Sequence, residues 1–136
     1  DLSGKAFLNV DFSGKDLNGA DFENCKFYHC TFDNASLVNC NLQNALFSNC
    51  SLYNVTAEEA ELQNARFFSC NLAKAFFTHS NFKEAVLKSC QTTSSSFMNC
   101  CIENIALEET DLPNDKMFDS ELDWIKNDIP DFEPNM

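Results

Sequence analysis

Eight cysteines, two histidines and twenty-one carboxylates are the groups in these 136 residues that chemistry would need. Seven of the eight cysteines (Cys25, Cys30, Cys40, Cys50, Cys70, Cys90 and Cys100) fall on multiples of five, and Cys101 alone does not. Cys30, Cys50, Cys70 and Cys90 recur at a spacing of twenty. Such a series makes a straight ladder with neighbours about 5 Å apart, within the Cα range of a disulfide but the wrong shape for a tetrahedral metal site. A reactive thiolate needs exposure and a positive neighbourhood. The regular spacing instead predicts buried structural thiols of a reducing compartment, with Cys100 and Cys101 the most accessible. His29 and His79 have no Cys or Ser partner in register, so no catalytic pair is expected. Gly4, Gly14 and Gly19 do not form a phosphate-binding loop. The sequons at Asn34, Asn49 and Asn54 are by-products of the same periodicity, and the carboxylates read as single, solvated groups. No enzyme, metal site or cofactor is predicted.

The element that positions these groups has a period of five. Positions 2, 7, 12 and onward to 112 make twenty-three, of which twenty-one are Leu, Phe or Ile; the exceptions are Ala57 and Thr92. Two residues before each centre, from residue 20 onward, stands mostly Ala, Cys, Ser or Val, and two residues after it stands Asn eleven times. Helices repeat near 3.6 and strands at 2, so neither fits. A large and a small apolar residue two apart both point inward from a short extended segment. Asn and Gly then suit the corner that follows, because both tolerate unusual backbone angles. Four such sides close a coil of twenty residues, and successive coils stack at about the 4.8 Å interstrand distance.

"ADF" at 20–22, "ASL" at 35–37, "CNL" at 40–42 and 70–72, and "AEL" at 60–62 carry a resemblance to the pentapeptide-repeat family, with its A-(D/N)-L-X-X pattern. The resemblance spans residues 1 to about 112 in one unbroken frame. It implies an all-β solenoid, a right-handed quadrilateral β-helix of about five to six coils over residues 1–112. Two departures stand out: Lys5 and Lys15 occupy the small inward position, and "QTTSSS" at 91–96 lacks its apolar centre. The first coil is therefore expected to be loose or covered, and the fifth to bulge. Residues 113–136 read as an acidic C-terminal cap and tail. Within them Phe118, Leu122, Ile125 and Ile129 form one helical stripe over about 118–129, with Asp119 or Ser120 as N-cap and Pro130 as stop.

Stepping by twenty sorts the outward residues onto sides. The first side collects Asp1, Asp21, Glu23, Glu61 and Glu103, an acidic strip with Lys83 its one base. The second collects Leu8, Tyr28, Leu46, Arg66, Phe68 and Val86 with Lys26 and Lys88, an apolar and aromatic stripe edged with base. Contiguous exposed apolar patches mark partner sites, and Tyr and Arg are favoured in hot spots. Tyr53, Val38, Phe76 and Met98 are lesser candidates on the mixed third and fourth sides.

The formal charge of −12 is unevenly spread: residues 1–100 carry ten acids against seven bases, and residues 101–136 carry eleven against two. No apolar run is long enough for a membrane-spanning helix, and neither a membrane nor direct nucleic-acid contact is predicted. The repeat frame already runs at Asp1, not a Met, which predicts a processed or excised chain with an upstream segment, a larger parent or an end-to-end second copy. Two functions follow. The first is a rigid, non-catalytic protein-interaction module working through the second side, in a reducing cytoplasm or as part of an effector-like bacterial protein secreted into a host cytosol. The second follows from the resemblance, since quinolone-resistance members resemble B-DNA in width and charge and bind DNA gyrase. The acidic first side would then mimic DNA for gyrase or topoisomerase. The body's net charge of only −3 (ten acids against seven bases) favours the first.

Overall fold

The computed structural model describes residues 1–113, and the helix expected over 118–129 lies outside them. Six three-residue strands stack in chain order: β1 Ala6–Leu8, β2 Lys26–Tyr28, β3 Leu46–Ser48, β4 Arg66–Phe68, β5 Val86–Lys88 and β6 Ala106–Glu108. Every pairing is parallel with a register of twenty, as in Phe7↔Phe27 and Phe27↔Phe47. The other three sides are joined by single parallel bridges in the same register: Asp11↔Thr31 on the third, Asp16↔Ser36 on the fourth and Asp21↔Asn41 on the first. The described residues thus form a four-sided parallel β-solenoid of five coils and most of a sixth.

Each corner is turned by a residue of positive φ, and nineteen of these are not glycine, with φ from 48° to 63°. Left-handed backbone disfavours residues with a Cβ, and Asn tolerates it best because its short side chain bonds locally. That preference accounts for the run of Asn at these positions. Inward, Phe7, Phe27, Phe47 and Phe67 stack with ring centroids 5.2, 4.9 and 4.7 Å apart. Phe32 meets Phe27 and Phe47 edge-on from the neighbouring side. The strand spacing is also a good stacking distance for aromatic rings, so the period and the core support each other.

The small inward residue does more than save space. On the first, third and fourth sides the turn closes on itself, as in Cys25 N–H to Phe22 O at 3.0 Å and Ala35 N–H to Phe32 O at 2.9 Å. Cysteines reach the carbonyl twenty-three residues earlier, in the coil below. Cys25 donates to Leu2 O at 3.0 Å, Cys50 to Phe27 O at 3.3 Å and Cys70 to Phe47 O at 3.3 Å. Ser80 does the same, donating to Ala57 O at 2.7 Å and accepting the Ala60 N–H at 3.0 Å.

Two expectations are corrected. The fifth coil does not bulge: Asn71↔Gln91 and Phe76↔Ser96 keep the register. Thr92 Oγ1 donates to Asp111 O, and Ser95 Oγ donates to Thr92 O at 2.7 Å, so the polar substitutes are satisfied locally. The first coil is not loose either, being bonded to the second through Leu2 N–H to Asp21 O at 3.0 Å and Phe12 N–H to Thr31 O at 2.7 Å. Lys5 and Lys15 are exposed, and Leu2, Phe7, Phe12 and Leu17 are half-buried at the end of the core.

Candidate functional site

On three sides the outward Asp and Asn residues that stand before the centres are engaged in building the turns. The residue before the centre accepts the N–H of the residue after it: Asp1 from Ser3 at 2.9 Å, Asp11 from Ser13 at 2.8 Å, Asp16 from Asn18 at 3.1 Å. Asn41, Asn71 and Asn81 accept from Gln43, Ala73 and Lys83 in the same way, at 3.1, 2.9 and 2.9 Å. This Asx bond is what a short polar side chain supplies at a turn. On the second side the chain stays extended as β1–β6, no turn closes there, and the same position carries Ala6, Lys26, Leu46, Arg66, Val86 and Ala106. Among the described residues, none of the outward side chains of β1–β6 bonds to the backbone.

The register arranges them in two rows. One runs Ala6, Lys26, Leu46, Arg66, Val86, Ala106; the other runs Leu8, Tyr28, Ser48, Phe68, Lys88, Glu108. All six residues expected to form the partner surface therefore lie on one sheet. Leu8 is 64% exposed and Arg66 is exposed, while Tyr28, Leu46, Phe68 and Val86 are half-buried against their neighbours. Lys88 pairs with Glu108 at 3.7 Å. Sequence reasoning grouped these residues but missed the rows and the ion pair that removes Lys88 from the free cations. The absence of Asp and Asn before the centres of this side was the signal that sets it apart.

The acidic strip lies on the first side, but it is broken. Asp21 and Glu61 are separated by Asn41 in the bridge register. Asp21 takes the Asn41 amide at 3.3 Å and the Glu23 N–H at 3.1 Å, and Glu61 takes the Gln63 amide at 2.9 Å. Glu103 pairs with Lys83 at 3.6 Å, and Asp1 holds its own turn. On the third side two hydrogen bonds from Ser13 hold Asp11 below the ordinary carboxylate range.

All eight cysteines are free thiols. Cys100, expected among the accessible ones, is 1% exposed because it points inward and donates to Phe77 O at 2.7 Å; Cys101 is half-buried. Burial pushes the Cys100 thiol up to about 12 and raises Cys25 and Cys40. Cys70 is pushed up by thiol contacts with Cys50 and Cys90, with burial adding to it. One shallow open hollow of about 680 Å³ brings His79 together with Asn39, Glu59 and Glu61, a grouping the sequence did not suggest. Among the described residues no group of three His, Cys, Asp or Glu has a metal-holding arrangement.

Two overlapping stretches, residues 2–77 and 42–117, match the model of the pentapeptide repeat region. The chain belongs to the pentapeptide repeat family. This pentapeptide repeat chain is similar to HetL, a pentapeptide repeat protein involved in heterocyst differentiation regulation from the cyanobacterium Nostoc sp. strain PCC 7120. The two are 18% identical with a TM-score of 0.42, over 75% of this chain and 45% of HetL. It is also similar to Rfr23 from the cyanobacterium Cyanothece 51142, at 19% identity and a TM-score of 0.40, over 79% of this chain and 86% of that one. Full-length QnrB1, a plasmid-mediated fluoroquinolone resistance protein, is 19% identical with a TM-score of 0.34, over 87% of this chain and 81% of its own. The pentapeptide repeat chain thus spans less than half of HetL. Among curated proteins none matches it.

Proposed function

We propose that this pentapeptide repeat rod is a non-catalytic protein-interaction module whose working surface is the second side. One observation carries the reading: among the described residues this is the side on which no outward side chain bonds to the backbone. On the other sides an outward Asp or Asn is bonded into its own turn, so its identity is constrained locally. On the second side Leu8, Tyr28, Leu46, Arg66, Phe68 and Val86 carry apolar, aromatic and cationic surface on a rigid six-stranded sheet. Aromatic and Arg side chains of this kind anchor interfaces, and a preformed rigid surface lowers the entropic cost of binding. The S–H groups of Cys25, Cys50, Cys70 and Cys100 serve as donors to core carbonyls, a role that only reduced thiols fill and that supports a reducing compartment.

The alternative, a DNA mimic acting on gyrase or topoisomerase, needs unbroken negative charge. Amides interrupt the first side and Lys83 neutralises Glu103, so the geometry favours the second side over it. The test is co-purification of the native partner with full-length protein and with Tyr28→Ser/Phe68→Ser. The variant is expected to keep its circular dichroism spectrum and melting temperature and to lose the partner. Retention of the partner at wild-type level overturns the proposal.

A further inference from the structure

The dimensions of the second side define the shape of what it holds; this inference rests on the reading just given. Each strand is three residues long, which makes the surface about 10 Å across, and six strands make it about 24 Å long. It is a strip about as wide as one α-helix, whose diameter is roughly 10–12 Å. A long ligand stays on such a strip only by running along the rod axis.

The strip carries its own repeat, at twice the coil spacing. β2 presents Lys26 and Tyr28, and β4 presents Arg66 and Phe68, a cation and an aromatic in the same two rows. Between and above them, in the cation row, stand Leu46 of β3 and Val86 of β5. Lys26 and Arg66 are two strands apart, so their Cα atoms are separated by about 9.6 Å with Leu46 halfway. Neither cation has an ion-pair partner among the described residues. By contrast Lys83 and Lys88 pair with Glu103 and Glu108, and Lys74 lies 5.7 Å from the centre of the Tyr53 ring.

Two regular backbones can lie along such a strip, and their repeats differ. An extended strand returns to the same face every 6.8 Å or so, which matches neither about 4.8 nor about 9.6 Å. An α-helix returns to nearly the same face after seven residues, about 10.5 Å along its axis, with the third or fourth residue falling about halfway. Over the single repeat between Lys26 and Arg66 the two differ by about 0.9 Å, which the long Lys and Arg side chains take up. We propose that the second side holds an amphipathic α-helix of a separate protein, laid along the rod axis. Carboxylates seven residues apart meet Lys26 and Arg66, and an apolar residue midway between them packs on Leu46 beside Tyr28 and Phe68.

The probe is a labelled helical peptide of about 18 residues with two Glu seven apart and Leu between and beyond them, compared with an isomer whose Glu are five apart and so on different faces. Fluorescence anisotropy with the full-length protein is expected to show about threefold tighter binding of the first, the equivalent of the one charge pair of about 0.7 kcal/mol that the isomer cannot make. Lys26→Glu/Arg66→Glu is expected to remove that preference, and a peptide with Lys in place of both Glu to restore binding to the variant. Lys26→Gln/Arg66→Gln repeats the test without added charge. Equal binding of the two isomers, or binding of neither, overturns the proposal. If that happens while Tyr28→Ser/Phe68→Ser still loses the native partner, the helix is wrong and the interaction side stands. If that variant keeps the partner, both fall.

Discussion

Ser80 is the residue whose replacement tests the turn chemistry most sharply. It is 2% exposed, and its hydroxyl lies between two backbone groups of the coil below, donating to Ala57 O at 2.7 Å and accepting from Ala60 N–H at 3.0 Å. In the neighbouring turns of the same column the two groups meet directly, as in Cys40 N–H to Leu37 O at 3.3 Å and Cys100 N–H to Phe97 O at 3.2 Å. Ser80→Ala removes the bridge. If the turn stays open, two buried backbone groups lose their partner at about 1–3 kcal/mol each; if it closes as its neighbours do, about one net hydrogen bond of roughly 1 kcal/mol is lost. The expected cost therefore centres near 2 kcal/mol. Ser80→Cys keeps a donor in the geometry that Cys40 and Cys100 adopt and should cost less than about 1 kcal/mol. Urea unfolding gives the totals, and hydrogen exchange at the Ala60 amide gives the local effect, because repeat solenoids open in segments. Ser80→Ala within about 0.5 kcal/mol of wild type with Ala60 equally protected refutes the reasoning, as does Ser80→Cys matching Ser80→Ala.

Asn71→Ala, which removes an Asx bond, should cost about 1 kcal/mol in urea unfolding, whereas Arg66→Ala on the second side should stay within about 0.5 kcal/mol. Equal costs would remove the distinction between sides. Glu84 sits at a corner with φ 60°, so Glu84→Gly should stabilise by about 0.5–1 kcal/mol, read as a raised melting temperature. Native-state alkylation near neutral pH should modify half-buried Cys101 ahead of the seven buried cysteines, as mass spectrometry of peptides will show. Because burial lifts Cys100 from an ordinary 9.0 to about 12, the folded state holds its proton where the unfolded state releases it. This contribution to stability is fully present below pH 9.0 and falls as pH climbs toward about 12, with Cys25 and Cys40 acting in the same direction. Urea titrations through this alkaline window should therefore show a declining unfolding free energy.

Much of the fold was legible because one period governs core and corner alike. Phe27, Phe47 and Phe67 are a coil apart in sequence and stack in space, and the Asn two residues after a centre, such as Asn24 and Asn44, stand at positive φ. What the period hid is that the same pattern builds two kinds of side. Where Asp or Asn stands before the centre, as at Asp11, Asp16, Asn41 and Asn71, it holds the turn, while Lys26, Leu46, Arg66 and Val86 stand on strands; the turn after Phe76 closes without such a bond. The bulge expected at "QTTSSS" failed for a related reason, since Thr92 and Ser95 bond to nearby carbonyls instead of disrupting the coil. Lys5 and Lys15 looked out of place inside a stack, yet in the first coil they are exposed and strain nothing. The partner surface was legible as a set of residues, but its alternation of Lys26, Leu46, Arg66 and Val86 required the register.

The central claim, that binding belongs to the second side, is tested most directly by photo-crosslinking in native cells. A photoreactive residue would be placed at one outward position per side: Lys26 on the second, and Glu61, Ser51 and Phe76 on the first, third and fourth. A discrete protein adduct from position 26, lost when Tyr28→Ser/Phe68→Ser is added, is the predicted result. A discrete adduct from Glu61 with none from position 26 would contradict the account and make the acidic side the working surface.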